Sequence, residues 1–264
     1  EKLREGLFSL GFEESSSPEI VFVLGGDGSL MKAIHCHGKN VKDCLINTGH
    51  LGFFSDYDAE ELNTFLEDIS KREPLEEKLP LYQLVAGSEK YEFVNDVSIQ
   101  SSETCFLDIK VDGELLSSVR ANGIVVSSPV GTTGYLTSLN SPIVVGKPDI
   151  YQYSTIAPCY NRLSINPINK AILASSQKLS VDVRKGLIEV YLDGMRREDM
   201  VASSYLFTKE EDKCVVVRRL EENHLEEMLE TLLANGGVAG IIVNTVGRAQ
   251  GLFERLVKVF GRDV

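Results

Sequence analysis

The chain has no tryptophan, and no apolar run in it approaches the roughly 18 residues needed to span a bilayer. Its opening, Glu1-Lys-Leu-Arg-Glu5, lacks the pattern of a signal peptide, so no membrane association and a cytoplasmic location are the expectation. Cysteine is sparse: Cys36, Cys44, Cys105, Cys159 and Cys214 are odd in number, scattered and without paired ligand spacing. This argues against a disulfide framework and a structural zinc site, and predicts small buried thiols. His35-Cys36-His37 does not restore a metal site, because neighbours on a helix point about 100° apart. Positive charge is also short, with 27 basic against 39 acidic residues and a formal net charge of −12. Nonspecific binding to nucleic acid or to an anionic membrane surface is thereby disfavoured, while an anionic ligand in a locally positive pocket is not.

What is present is a globular composition. At 264 residues and 43% hydrophobic, the chain can bury the core of one large domain or two modest ones. Its densest signal is Ile20-Val-Phe-Val-Leu-Gly-Gly-Asp-Gly-Ser-Leu30. A continuous apolar run bounded by glycines predicts a strand covered on both faces, and residues 29–34 have the composition of an opening helix. Gly25, Gly26 and Gly28 let a ligand approach the backbone, and amides in such a turn can bind phosphate oxygens. Asp27, an anion among anion-binding donors, is out of place as a phosphate ligand and suits a base or a magnesium contact. A plain tight turn with Asp27 capping the helix is an equal reading from these residues alone.

Leu3, Leu7, Phe8 and Leu10 have helical spacing, and the pattern starts abruptly, with no strand before it. Cys44-Leu-Ile-Asn47 reads as a second buried strand that enters a second glycine loop, Thr48-Gly-His-Leu-Gly-Phe-Phe-Ser-Asp56. Asp58 then caps a helix with Leu62, Phe65, Leu66 and Ile69 on one face, closing near Lys71. Strand, loop and helix in repetition predict α/β organisation, in which ligands bind at the carboxyl ends of strands. Two prolines and several charges between Arg72 and Pro80 mark a boundary, after which short alternating strands begin. Residues 81–86, 91–100, 106–111, 115–119 and 123–126 read as strands, with a hairpin at Asp112-Gly113. The small hydroxyl and glycine stretch 127–135 follows, then further strands at 179–183 and 187–192, the latter entering Asp193-Gly194.

Four loops stand together: Gly25-Gly-Asp-Gly28, Asn47-Thr-Gly-His-Leu-Gly-Phe53, Asn95-Asp96, and residues 127–135 followed by Ser141-Pro-Ile143. In order and spacing this set resembles NAD kinase, the enzyme that phosphorylates the adenosine ribose 2′-hydroxyl of NAD to make NADP. The resemblance runs over about residues 3–220 and includes Ile156-Ala-Pro158, the 162–168 stretch and Tyr191-Leu-Asp-Gly194. It implies a Rossmann-like α/β nucleotide domain over residues 1–80 and a β-rich, sandwich-like NAD-binding domain over 81–204, with NAD across their interface. ATP or polyphosphate is implied as the phosphoryl donor at the first glycine loop, with Mg²⁺ screening the phosphates and a homodimer or homotetramer as the assembly. Asp27 is implied as the base that activates the 2′-hydroxyl, and Asn95 and Asp96 as the pair that holds hydroxyl or amide groups of the dinucleotide. An Asn-Asp turn is the competing reading of that pair, but the flanking residues look like continuous strand, which favours ligand contact. Thr132, Thr133 and Tyr135 are implied around the adenine, Phe53 at the nicotinamide side, and Arg120, Asn122 and Ser138 in the pocket. Asp193 is a hairpin residue first and a pocket contributor second.

The chain also departs from the family. Arg120-Ala-Asn-Gly123 stands where Arg-Gly-Asp-Gly is common, so Asn122 replaces a carboxylate and puts substrate affinity or specificity in question. The family's first strand is expected before residue 1. From Glu221 an acidic amphipathic helix, a buried-type strand at 238–246 and a second helix replace the usual ending. That tail, within the segment 205–264, resembles the opening of a CRISPR-associated helicase lobe without an ATP-binding loop, and could supply the missing strand. The competing readings are a lipid or sugar-alcohol kinase sharing the Gly-Gly-Asp-Gly loop, and an NAD-binding module that has lost catalysis.

Overall fold

The computed structural model describes residues 1–49, 52–71, 75–159 and 165–218, which form two compact units: residues 1–79 with 212–218, and residues 80–211. The expectations for the 162–164 part of the Pro-containing stretch and for the tail from Glu221 lie outside the described residues.

The first unit is built on parallel strands. Helix α1 (Lys2–Ser9) precedes β1 (Ile20–Gly25), α2 (Asp27–His37), β2 (Lys42–Asn47) and α3 (Leu62–Lys71). β1 and β2 pair in parallel from Ile20 opposite Lys42 to Gly25 opposite Asn47, so both glycine loops leave the same, carboxyl end of the strands. A parallel neighbour on the other side of β2 comes from Val215 and Val216. The apolar stripe of α3 meets Leu3 and Leu7 of α1 and Cys44 and Ile46 of β2, with Phe65 fully buried at the centre. Tyr57 and Phe22 stand edge-on to Phe65, with ring centroids 5.1 and 5.9 Å away. Asp58 caps the entrance to this helix, as the sequence pattern predicts, and Glu61 completes a capping box with it. One residue breaks the apolar rule: Asp43 of β2 is fully buried, and neither carboxylate oxygen has a hydrogen-bond partner among the described residues. Burial raises its pKa to about 7.

The second unit is a large antiparallel sheet. Its strands are the part of β3 (Leu75–Ala86) from Pro80 on, β4 (Glu89–Phe93), β5 (Asp96–Val111), β6 (Glu114–Ser127), β7 (Ile150–Ile156), β8 (Lys170–Ala174), β9 (Leu179–Lys185), β10 (Glu189–Leu192) and β11 (Met195–Arg196), with the first part of β12 (Ser204–Arg218). The main order is β12-β9-β5-β6-β7-β8. β5 is shared along its length: Val97 to Gln100 pair with β10, and Phe106 to Val111 pair with β9. Alternate residues of these strands, among them Val97, Ile99, Leu107, Ile109, Ile124 and Val126, enter one apolar core with Tyr82, Tyr151 and Phe207. Between β6 and β7 lies the short helix α4 (Tyr135–Ser138).

Three sequence expectations are corrected here. The pieces read at 106–111, 115–119 and 123–126 belong to two long strands, β5 and β6, because a bulge between Gln100 and Cys105 lets the pairing resume instead of ending. The stretch 91–100, read as one strand, is interrupted at Val94-Asn95, where the chain bends between β4 and β5. Of the thiols, Cys44 and Cys105 are buried, but Cys36 near the end of α2 and Cys159 are exposed.

Candidate functional site

In the first unit the Gly25-Gly-Asp-Gly28 turn joins β1 directly to α2. Gly25 sits at φ +155°, and a Cβ there would fall 2.2 Å from the Ser29 hydroxyl, so the turn accepts glycine alone without rearrangement. Asp27 begins the helix, where a negative charge suits the dipole. Its side chain reaches the second glycine loop: both carboxylate oxygens accept from the Phe53 amide at 3.0 Å, and Oδ1 also accepts from the Phe54 amide at 3.2 Å. Asp27 thus ties the first glycine loop to the second. Asn47, at the end of β2, supports the same loop by accepting from the Gly49 amide and donating to Asp58. A half-buried carboxylate, glycine amides and a helix start lie together at the carboxyl end of two parallel strands. Such a group can accept a proton from a hydroxyl, since each carboxylate oxygen has more than one acceptor direction.

In the second unit the bend at 94–96 is held from both sides. Asp193 turns the hairpin between β10 and β11 at φ +47°, and its carboxylate accepts from three successive amides, Val94 at 2.9 Å, Asn95 at 2.7 Å and Asp96 at 3.1 Å. The carbonyls of the bend are taken from the opposite side: Ser128 donates through its hydroxyl to Val94 and through its amide to Asn95, and the Ser127 hydroxyl also donates to Asn95. A Cβ on Gly131 would lie 2.2 Å from the Asn95 carbonyl oxygen, which brings the 131–135 loop directly onto the bend. A Cβ on Gly134 would lie 3.4 Å from an Asp96 carboxylate oxygen. The Asn95 side-chain oxygen is buried with no hydrogen-bond partner among the described residues. Asp96 is buried, and desolvation together with the Asp193 charge raises its pKa to about 7.

The remaining candidates divide into exposed and committed groups. Thr132 is fully buried, donates to the Pro129 carbonyl and accepts from the Val144 amide, so its hydroxyl is committed to the loop's own structure. Thr133 and Tyr135 are half-buried on the same loop. Ser138 is exposed and donates to the Tyr135 carbonyl. Arg120 lies on β6 with its guanidinium 5.0 Å from the Phe106 ring centre and a buried, unpartnered Nε. Asn122, two residues on, donates to the Ser101 carbonyl at 3.4 Å, at the β5 bulge. Phe53 is half-buried and reaches the carboxylate of Asp27 through its backbone. Sequence reading passed over Ser127 and Ser128 as site residues. Their only signal is that two small hydroxyls sit where a strand ends.

A glycine turn with a half-buried carboxylate at the carboxyl end of parallel strands is the place where α/β proteins bind their ligands, nucleotides among them. The sequence model of the ATP-NAD kinase C-terminal domain matches residues 94–218. The NAD kinase of Lactobacillus johnsonii is 26% identical over 189 residues, 68% of this chain and 70% of that protein. The Petrotoga mobilis NAD kinase is 25% identical over 231 residues, 85% and 82% of the two chains. The Geobacillus stearothermophilus NAD kinase is 31% identical over 166 residues, 59% and 61% of the two chains. Two solved structures share the fold. Yeast NADH kinase complexed with NADH has a TM-score of 0.69 at 21% identity, over 82% of this chain and 66% of that one. An NAD kinase from Archaeoglobus fulgidus in complex with ATP has a TM-score of 0.70 at 18% identity, over 86% of this chain and 93% of that one. In sequence and in fold the chain is thus similar to NAD kinases.

Proposed function

We propose that this protein is an NAD kinase, transferring a phosphoryl group from ATP or polyphosphate to the adenosine ribose 2′-hydroxyl of NAD to give NADP. The observation that carries this reading, beside the family match over residues 94–218, is the hydrogen-bonded bend that presents Asn95 and Asp96 with a buried acceptor on Asn95 left unmatched among the described residues. A buried polar atom without a partner is costly in the protein alone and suits a ligand donor. Asn95 and Asp96 would hold hydroxyl or amide groups of the dinucleotide, with Thr133 and Tyr135 on the adjoining loop against the adenine. Thr132 shapes that loop from inside, and Asp27 is the base for the 2′-hydroxyl. The amides of Gly25, Gly26 and Gly28 face the donor phosphates.

Magnesium fits this residue set as an ion carried by the donor phosphates. Among the described residues no three His, Cys, Asp or Glu side chains cluster, and Mg²⁺ bound chiefly through phosphate oxygens and water needs no such cluster. The ion would neutralise phosphate charge, while the chain's own contribution is positioning and proton acceptance. No described helix is long and apolar enough to cross a membrane. A cytoplasmic homodimer or homotetramer is part of the proposal.

The test is incubation with NAD, Mg²⁺ and either ATP or polyphosphate, read by NADP formation. NADP with at least one donor supports the proposal. Phosphorylation of diacylglycerol or a sphingoid base without NADP overturns it, as does calorimetric NAD binding without turnover under any donor.

A further inference from the structure

Resting on the NAD kinase reading, we propose that Asp193 is a positioning residue for dinucleotide recognition: its carboxylate fixes the Val94-Asn95-Asp96 bend and thereby sets the direction of the two side chains that contact the substrate. The hairpin that carries it would require only an Asp-Gly pair in any orientation, because both Asp193 and Gly194 have positive φ, as in many two-residue turns. Its side chain does more than the turn needs. It is 5% exposed and gathers three consecutive amides from a segment almost a hundred residues earlier, while its own amide donates to the Asp96 carbonyl at 2.8 Å.

Among the described residues nothing else holds those amides. The bend separates β4, which pairs with β3, from β5, which pairs with β6, β9 and β10, so Val94 and Asn95 fall outside the strand ladders. Backbone donors buried without acceptors are rarely tolerated. A carboxylate satisfies all three at once and with charge-assisted hydrogen bonds, roughly twice as strong as neutral ones. With the carbonyls fixed by Ser127 and Ser128 and the Gly131 backbone pressed against Asn95, the segment has one conformation before any ligand arrives. Preorganisation of this kind lowers the ordering cost of binding.

Asp193→Asn isolates the role, because asparagine tolerates positive φ and so keeps the turn. Its amide oxygen can retain Asn95 and Asp96, which share Oδ1, but its NH₂ then faces the Val94 amide, donor against donor. We expect KM for NAD to rise at least about tenfold, with KM for ATP unchanged, kcat within about threefold and circular dichroism of the folded protein retained. Wild-type KM for NAD in folded Asp193→Asn overturns the proposal, as does an equal fall in kcat with KM unchanged. Hydrogen–deuterium exchange of the unliganded wild-type protein provides the second measurement, independent of the variant's folding and of catalysis. Strong protection at residues 94–96 without NAD is expected, and exchange at those amides that becomes slow only on adding NAD overturns the proposal. Absence of NADP formation by the wild type, with those amides protected, would count against the kinase reading and leave the anchoring standing.

Discussion

Asp27 in the first unit and Asp193 in the second do the same thing with backbone amides and differ in what they leave uncovered. Each accepts from successive amides of a loop remote in sequence, Phe53 and Phe54 in one case and Val94, Asn95 and Asp96 in the other. Asp27 is half-buried at the mouth of a glycine turn, whereas Asp193 is sealed in a hairpin. An accessible carboxylate can organise its loop and still meet a hydroxyl, so structure and chemistry share one group. A sealed one can act only through the backbone that it holds. Asp43 supplies the control, a carboxylate as buried as Asp193 but with no donors, whose pKa burial raises to about 7.

The largest effect tests the chemical half of the comparison. Asp27→Asn can keep both amide bonds on its single oxygen, so we expect kcat to fall at least about a hundredfold while NAD affinity by calorimetry stays nearly intact. Full turnover in that variant would remove Asp27 as the base and make the two aspartates equivalent. Gly131→Ala should come next, because its Cβ meets the Asn95 backbone at 2.2 Å and backbone cannot move aside cheaply. A loss of NAD affinity of about tenfold or more with a lower Tm is expected, and unchanged affinity would show that the bend is not as fixed as described.

Asp43→Val sharpens the role of the amides through stability alone. A carboxyl whose folded pKa is raised from 3.8 to about 7 holds its proton more tightly folded than unfolded. Its contribution therefore favours folding most below the lower value and is lost as pH rises through this window. The variant should melt higher than wild type at pH 8, with the difference shrinking towards pH 4, as scanning calorimetry would read. An undiminished difference at pH 4 would mean that the charge is not the cause. The smallest effect is expected for Asn122→Asp, which restores the residue common in the resembling family: Asn122 makes one long hydrogen bond at the edge of a bulge. A change in KM for NAD within about threefold is expected, and a larger one would assign the pocket a charge dependence that neither aspartate cradle explains.

Local features of this fold were legible in the sequence. The glycine turn, the Asp58 helix cap and the Asp112-Gly113 and Asp193-Gly194 hairpins all depend on neighbours within a few residues, and each appears where its pattern predicts. What was illegible depends on partners far along the chain. The apolar run around Asn95-Asp96 reads as uninterrupted strand, and only the approach of Asp193 and Gly131 breaks it. Thr132 carries the same hydroxyl whether it faces a ligand or Val144, and sequence alone favours neither. Asp43 defies the pattern entirely, since nothing in a strand-like Lys-Asp-Cys-Leu-Ile-Asn stretch signals a buried carboxylate without donors.

The unmatched side-chain oxygen of Asn95 sets function and stability in opposition at a single position. Any residue that removed that acceptor, or satisfied it internally, would let the empty protein fold more firmly and hold a dinucleotide less well. Variants selected for heat resistance without substrate would therefore drift away from asparagine there, and the same selection run in saturating NAD would retain it.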